Sequence, residues 1–294
     1  MIEKQLSILR SPDDGSPLLL RGGVLQSTGD SPYLYPIESG ALVLLPVHGA
    51  GSGKPYIAHY QQDAVLFDYF EPPQDGATRH EHRRVHETIL SHVPTRAATI
   101  LDIGCGSAWV AEALCAEGKE VWSLDVSSVN PVKALKKHPF PSHYGIVADV
   151  MSLPFREKVF DVVIASEVLE HLVSPADFFQ EVMRVVKPGG MLIITTPYKE
   201  IIQHSLCIHC NQPTPHHAHL HSFDAEKIRR ISAGLRAVRA QIEPFSNKAL
   251  VKLQMHFWMR LLPYPVWRML DSLANALIGR QGRLLAVFRR DLHV

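Results

Sequence analysis

Ile100-Leu101-Asp102-Ile103-Gly104-Cys105-Gly106-Ser107-Ala108 is the stretch on which the fold of this chain turns. An apolar run of strand length meets two closely spaced glycines and then helix-forming residues. Gly104 and Gly106 can take backbone geometry that side chains disfavour and let a ligand approach the main chain. A Gly-x-Gly turn alone is weak evidence, because turns with no ligand use the same residues. The weight therefore falls on what flanks it.

Outward from this turn, strand and helix patterns alternate. Ala98–Ile103 is predicted as a strand, 108–116 as a helix, Val121–Leu124 as a strand and Asn130–Lys136 as a helix. Strands follow near Gly145–Ala148 and Phe160–Ala165, then a helix from Pro175 to Val186 and a strand over Met191–Thr196. Such alternation implies an α/β doubly wound, mainly parallel sheet with helices on both faces. Ligands in such sheets bind beyond the carboxyl ends of the strands. Asp102, Asp125 and Asp149 all fall at such ends, and Asp125 lies 21 residues after Gly104, a spacing suited to holding ribose hydroxyls. A nicotinamide dinucleotide site would need a third glycine three residues after Gly106; Trp109 stands there. Asp102 is instead well placed to meet an ammonium group.

With 294 residues, the chain is long enough for one large domain and a small companion. Lys and Arg total 30 against 29 acids, so no global charge argues for nucleic acid. Four cysteines make no disulfide framework, and the start carries no apolar signal-like run, so a cytoplasmic protein is expected. The most apolar stretch, 250–278, is interrupted by charges and by Pro263 and Pro265. A spanning helix needs about 20 uninterrupted apolar residues, so no transmembrane segment is expected.

Five segments in order, LDIGCGSA, SLDVS, ADVMSLPF, FDVVIASEVLEHL and VVKPGGMLIITTPY, resemble the class I S-adenosylmethionine-dependent methyltransferases over roughly residues 80–290. The resemblance implies a Rossmann-like fold and S-adenosyl-L-methionine as cofactor. Asp102, Gly104, Cys105 and Gly106 would line its methionine and ribose portion. Asp125 and Val126 would bind the ribose, Asp149 and Val150 the adenine, and Glu167 and Val168 would close the pocket. The family's third glycine is Ala108 here. Methyl transfer from a sulfonium chiefly requires alignment of the acceptor, with a general base optional. His171, just past the pocket, is the candidate base; packing at the start of a helix is its bland alternative.

Residues 1–47 read as short strands: Leu18-Leu19-Leu20, Val24-Leu25 and Ala41–Leu45 separated by turn residues. With Ser11-Pro12-Asp13-Asp14 and Tyr35-Pro36-Ile37, they resemble a small zinc-ribbon-like family of methyltransferase activators in which cysteines replace Ser11 and Asp14. Lacking those cysteines, the segment is expected to serve as a metal-free scaffold; the alternative is a β-rich extension of coincidental likeness. Residues 48–79 follow as a glycine-bearing linker and helical lead-in, and 80–294 as the methyltransferase domain.

Two insertions are expected in that domain. In 198–222, Cys207-Ile208-His209-Cys210 has the CxxC spacing of zinc knuckles, and His216, His217, His219 and His221 follow. The segment also resembles a loop of some class I methyltransferases in which a CxxC precedes histidines and then Ser-Phe; that resemblance implies a Zn2+ on Cys207, Cys210, His216 and His219, with His217 or His221 able to replace His216. A closed tetrahedral set is structural; a redox CxxC or a surface histidine cluster are the alternatives. In 244–282, Lys252, His256 and Arg260 form a polar stripe, and Val266, Leu270, Leu273 and Leu277 an apolar face. Two helices packed on the sheet edge, or a lid over an apolar acceptor, both fit. A small-molecule or lipid-like acceptor is expected, with RNA or protein modification and a cofactor-binding pseudo-enzyme as other readings.

Overall fold

The structure, a computed structural model, describes residues 2–47, 54–208, 210–235 and 238–292. In chain order come α1 (Ile2–Leu6), β1 (Leu18–Arg21), β2 (Val24–Ser27), β3 (Leu34–Tyr35), β4 (Ile37–Glu38) and β5 (Ala41–Val43), then α2 (Pro55–Leu66) and α3 (Gly76–Leu90). The alternating part follows: β6 (Thr99–Ile103), α4 (Trp109–Cys115), β7 (Glu120–Asp125), α5 (Val129–Lys137), β8 (His143–Val147), β9 (Phe160–Ser166), α6 (Pro175–Val185) and β10 (Val186–Pro197). Last come β11 (His204–Leu206), β12 (Pro213–Pro215), α7 (Ala225–Ile231), β13 (Val238–Asn247), α8 (Lys248–Lys252), α9 (His256–Met259), α10 (Tyr264–Ile278) and β14 (Gln281–Arg290).

Nine strands make one sheet in the order β13-β14-β10-β9-β6-β7-β8-β5-β4. From β10 to β5 neighbouring strands are parallel, whereas β14 runs antiparallel to both β10 and β13. Strands buried on both faces read as continuous apolar runs, as Val162–Ala165 of β9 does. Helices start where the chain supplies caps: Asp75 accepts from Thr78 N–H before α3, and Pro175 opens α6.

Two cores lie against the sheet. One gathers Trp122, Leu124, Phe160, Phe178 and Phe288; the other gathers Ile100, Val121, Ile164 and Ile193 with Val85 and Ile89 of α3. Residues 1–47 do not keep a core to themselves. Leu9, Leu18, Leu25, Tyr35 and Leu44 belong to the first cluster, and β5 pairs with β8. The turn at residues 11–14 is tied by side chains: Ser11 Oγ lies 2.8 Å from Tyr35 Oη, which donates to Asp13 at 2.6 Å. The glycine-bearing linker expected over 48–54 falls, except for Lys54, outside the described residues.

The insertion differs from its sequence reading. Lys252, His256 and Arg260 do not share one helix, because Gln254 takes a left-handed φ of 54° and separates α8 from α9. Nor do Val266, Leu270, Leu273 and Leu277 pack on the sheet edge; they are exposed, and Trp267, Asp271 and Ala274 are the buried face of α10. Among the described residues, no helix is long and apolar enough to cross a membrane.

Candidate active site

The glycine turn leaves β6 as expected. Gly104 has φ +66°, and a Cβ there would stand 2.6 Å from Val168 Cγ2, so the turn and the segment after β9 meet only because this position is bare. Gly106 has φ +45°. Ala108 also sits in the left-handed region, at φ 56°, as the residue that caps α4. That explains why a glycine suits the position, and the methyl group present there is fully buried.

Three aspartates border this turn in different states. Asp102 is 2% exposed and its Oδ2 has no hydrogen-bond partner. Burial, reinforced by the neighbouring charge of Asp125, pushes its carboxyl well above the usual range. Asp125 is buried too, but accepts from Ser127 N–H at 2.9 Å and Asn130 Nδ2 at 3.0 Å; burial still raises it overall. Asp149 accepts from Met151 N–H at 3.0 Å, from Lys54 Nζ at 2.9 Å and from the Tyr56 hydroxyl. The segment leading into α2 therefore already covers the Asp149 end. Further along it, Gln61 accepts from Ser128 N–H at 2.9 Å. Val126, Val150 and Cys105 line the same edge, Cys105 with its N–H donated to Leu124 O. An unpartnered buried carboxylate beside a glycine cradle fits a ligand that brings a cation, as the methionine end of S-adenosylmethionine does.

Beyond β9 the site changes character. Glu167 holds a left-handed φ of 55°, and its Oε2 lies 3.2 Å from Arg283 Nε. Arg283 also reaches Glu81 at 3.4 Å. Burial alone would lower this guanidinium, but the surrounding carboxylates outweigh it and keep it charged. Glu170 is 1% exposed; Thr196 Oγ1 donates to its Oε2 at 3.0 Å, and its Oε1 has no partner. Burial and then the charge of Glu167 push Glu170 well up.

His171 is half-buried, with Nδ1 3.3 Å from Ala218 O and its ring 4.8 Å from that of His219. Burial and His219 push it down to about 4, so the ring is neutral near pH 7. His219 Nδ1 lies 2.5 Å from Glu200 Oε2. Both rings thus have Nδ1 engaged, leaving each Nε2 as the open nitrogen. One donor atom each from Glu170, His171 and His219 lie within 4.8 Å of one another, a carboxylate and two imidazoles that one divalent cation could share.

The zinc set read from the sequence is not what the fold collects. Among the described residues, no three of Cys207, Cys210, His216 and His219 bring donors within 4.8 Å of one another. Cys207 and Cys210 lie in the β11–β12 hairpin turn, where Cys207 N–H donates to Gln212 O. The chain that follows is pinned elsewhere: Leu220 N–H and His221 N–H both donate to Glu170 O, carrying His219 onto His171, while His216 stays exposed. His209 lies outside the described residues. Glu170 and Glu200 escaped the sequence reading. The one available signal was Glu170 beside His171, on the side of the chain that leaves the parallel sheet.

The strand order 3-2-1-4-5-7-6, counting only strands of the large sheet from β6 as strand 1, with the seventh strand antiparallel, defines a Rossmann-like methyltransferase fold. Residues 101–194 match the family model described as a methyltransferase domain. The chain is similar to the ubiquinone biosynthesis O-methyltransferase of Colwellia psychrerythraea, 32% identical over 115 residues covering 37% of this chain and 46% of that one. It is also similar to the protein of the same name in Bradyrhizobium diazoefficiens, 36% identical over 100 residues covering 33% and 39%. The chain thus spans less than half the length of these relatives. Among solved structures, the [4+2]-cyclase SpnF superposes with a TM-score of 0.50 at 18% identity, covering 84% of this chain and 98% of that one. A chain of the complex containing the Haloferax volcanii Trm112 methyltransferase activator does so with 0.50 at 18%, covering 74% and 95%. A cyclase among these neighbours shows that the fold alone does not settle the reaction.

Proposed function

We propose that this chain is an S-adenosylmethionine-dependent methyltransferase that methylates an oxygen of a small acceptor placed between the glycine turn and the Glu170–His171–His219 corner. The observation that carries the reading is Asp102, a fully enclosed carboxylate whose free oxygen is costly unless a cation arrives. S-adenosylmethionine, when bound, supplies a methyl group already on a good leaving group. Asp102 would hold its ammonium, Asp125 its ribose and Asp149 its adenine amino group once Lys54 gives way.

The chain's own work is then alignment and exclusion of water. Val168, in contact with the glycine turn, separates the cofactor end from the acceptor end. Neutral His171 offers Nε2 to the acceptor hydroxyl as a hydrogen-bond acceptor, and the Ala218 carbonyl fixes the ring's orientation. Where a divalent cation instead occupied Glu170, His171 and His219, it would take up His171 Nε2 and supply Lewis acidity to the same hydroxyl in place of that hydrogen bond. The names of the relatives, O-methyltransferases at 32% and 36% identity, support oxygen as the acceptor atom. Glu167, His217 and Ala218, all non-glycine residues at positive φ, cluster on this side, as strained backbone does at functional sites.

Calorimetry with S-adenosylmethionine, followed by transfer of a labelled methyl group to a panel of phenols and catechols with and without Mg2+ or Mn2+, tests the reading. Saturable cofactor binding and an O-methylated product are expected. Cofactor binding with labelled product only on nitrogen acceptors overturns the oxygen assignment, and no binding overturns the whole.

A further inference from the structure

Helix α10 leaves most of its large apolar residues facing outward. The side it lays on the protein carries, beside Trp267 and Ala274, a polar network: the buried Asp271 carboxylate accepts from Ser246 N–H at 3.0 Å, Asn247 N–H at 2.7 Å and Asn275 Nδ2 at 3.0 Å. Arg268 reaches from the same side to Glu243 at 2.7 Å. The opposite side presents Val266, Met269, Leu270, Leu273 and Leu277, all exposed, at the i, i+3, i+4, i+7, i+11 spacing of a single apolar stripe. A surface helix of an ordinary soluble domain shows the reverse arrangement. Pro263 and Pro265 at its start and Gly279 at φ 63° at its end give it well-defined limits. In the preceding short helix, Trp258 is 70% exposed beside Phe257 and Leu261.

Charge narrows what covers this face. From 248 to 280 the basic residues are Lys248, Lys252, Arg260, Arg268 and Arg280, and the one acid, Asp271, lies buried beneath α10. Lys248, Lys252, Arg260 and Arg280 are exposed and form no ion pair among the described residues. A second copy docking symmetrically through residues 248–280 would set this basic surface against itself, with no exposed acid in that segment to answer it. A bilayer with anionic headgroups answers both features at once: acyl chains take the stripe and Trp258, and phosphates take the lysines and arginines.

We propose that residues 248–280 seat the protein on an anionic lipid surface, with α10 lying in the plane of the interface. Asn247 and Gln281 are paired in the sheet, so the insertion leaves and rejoins it where β10 ends, at the carboxyl edge that carries Glu167 and Glu170. Docking there brings the acceptor side of the site to the membrane, a position suited to an acceptor that partitions into lipid. This surface stands independently of the reaction the site performs.

The test is cosedimentation of the full chain with vesicles of phosphatidylcholine alone and with vesicles in which phosphatidylglycerol is mixed in at a ratio of roughly 1:2. Binding to the mixed vesicles, at least about tenfold over phosphatidylcholine and weakened by added salt, is expected. Leu273→Glu/Leu277→Glu and Lys252→Glu/Arg260→Glu should each lower it by about tenfold, while circular dichroism and cofactor affinity stay unchanged. Brominated lipid should quench tryptophan emission in the native protein and lose most of that effect in Trp258→Phe. Equal or absent binding to the two vesicle types overturns the proposal, as does binding that survives both double substitutions. A concentration-dependent dimer by light scattering that Leu273→Glu/Leu277→Glu dissolves, without vesicle binding, replaces the lipid by a second copy.

Discussion

Along the carboxyl edge of the sheet, the half over β6, β7 and β8 and the half over β9 and β10 are built on different plans. The first takes its polar groups from strand ends: Asp102 from within β6, Asp125 from the last position of β7, Asp149 two residues past β8. The second gathers Glu81 from α3, Glu170 and His171 from the turn after β9, His219 from the segment past β12 and Arg283 from β14. A group tied to a strand end is placed by the sheet's own register, so its position follows from local sequence. A group brought in from a distant loop is placed by whichever hydrogen bonds hold that loop, here the two from Leu220 and His221 to Glu170 O. The carboxylates of the cofactor half are therefore placed by the sheet, with Lys54 and Tyr56 laid over Asp149 from outside it, and the acceptor half depends on a few tertiary contacts.

The largest effect is expected where the first half buries a carboxylate with an unpartnered oxygen. Asp102→Asn should weaken S-adenosylmethionine binding by about 3–5 kcal/mol, the cost of breaking a buried ion pair. The same substitution should raise the thermal midpoint of the ligand-free protein, because folding the native chain must either protonate Asp102 or bury its charge without a partner. Asp125→Ala should cost less, about 1.5–3 kcal/mol of affinity, the scale of hydrogen bonds to a charged group. Calorimetry and thermal denaturation measure all three; a cofactor affinity untouched in Asp102→Asn would mean that the ammonium lies elsewhere.

The same carboxylate predicts a pH dependence. Its pKa is raised in the empty site, and a bound ammonium requires the ionised form. Affinity should therefore fall as pH drops through the raised pKa, and binding in that range should release a proton. Titrations in buffers of different ionisation enthalpy detect the release, and Asp102→Asn should abolish it. Proton uptake instead of release would reverse the assignment.

For the second half, His219→Ala should remove any stoichiometric divalent cation and lower methyl transfer by about 10–100-fold, with cofactor affinity little changed. Cys207→Ser/Cys210→Ser should leave metal content and turnover as they were. The opposite pattern, with metal lost on replacing the cysteines and kept without His219, would restore the hairpin zinc site and break the contrast between the halves. Elemental analysis of protein made without a histidine tag distinguishes the two.

The smallest effect concerns the cap of α4. Ala108→Gly relieves a left-handed alanine, worth about 1–2 kcal/mol, and deletes a buried methyl worth about 0.8 kcal/mol. A net stabilisation of up to about 1 kcal/mol is expected from denaturant titration. Destabilisation would show that packing, not backbone strain, governs this position.

Sequence by itself determined the parallel part of the sheet and the glycine turn. Apolar runs buried on both faces carry their own period, and Gly104, Asp102, Asp125 and Asp149 sit beside strands whose ends are marked locally. It did not show β13, where Val238–Asn247 mixes Arg239, Gln241, Glu243 and Pro244 into a strand. As the edge of the sheet, β13 needs a partner on one side alone, so it tolerates proline and polar residues that a central strand would not. Tertiary structure alone decided the rest. The apolar residues of α10 looked like a packing face, but the hydrogen bonds of Asp271 to Ser246 and Asn247 turned the helix the other way. Histidines adjacent to a CxxC looked like its partners, but the bonds from Leu220 and His221 to Glu170 drew His219 to His171 instead. In both places spacing along the chain set which faces were possible, and buried backbone groups that had to be satisfied chose between them.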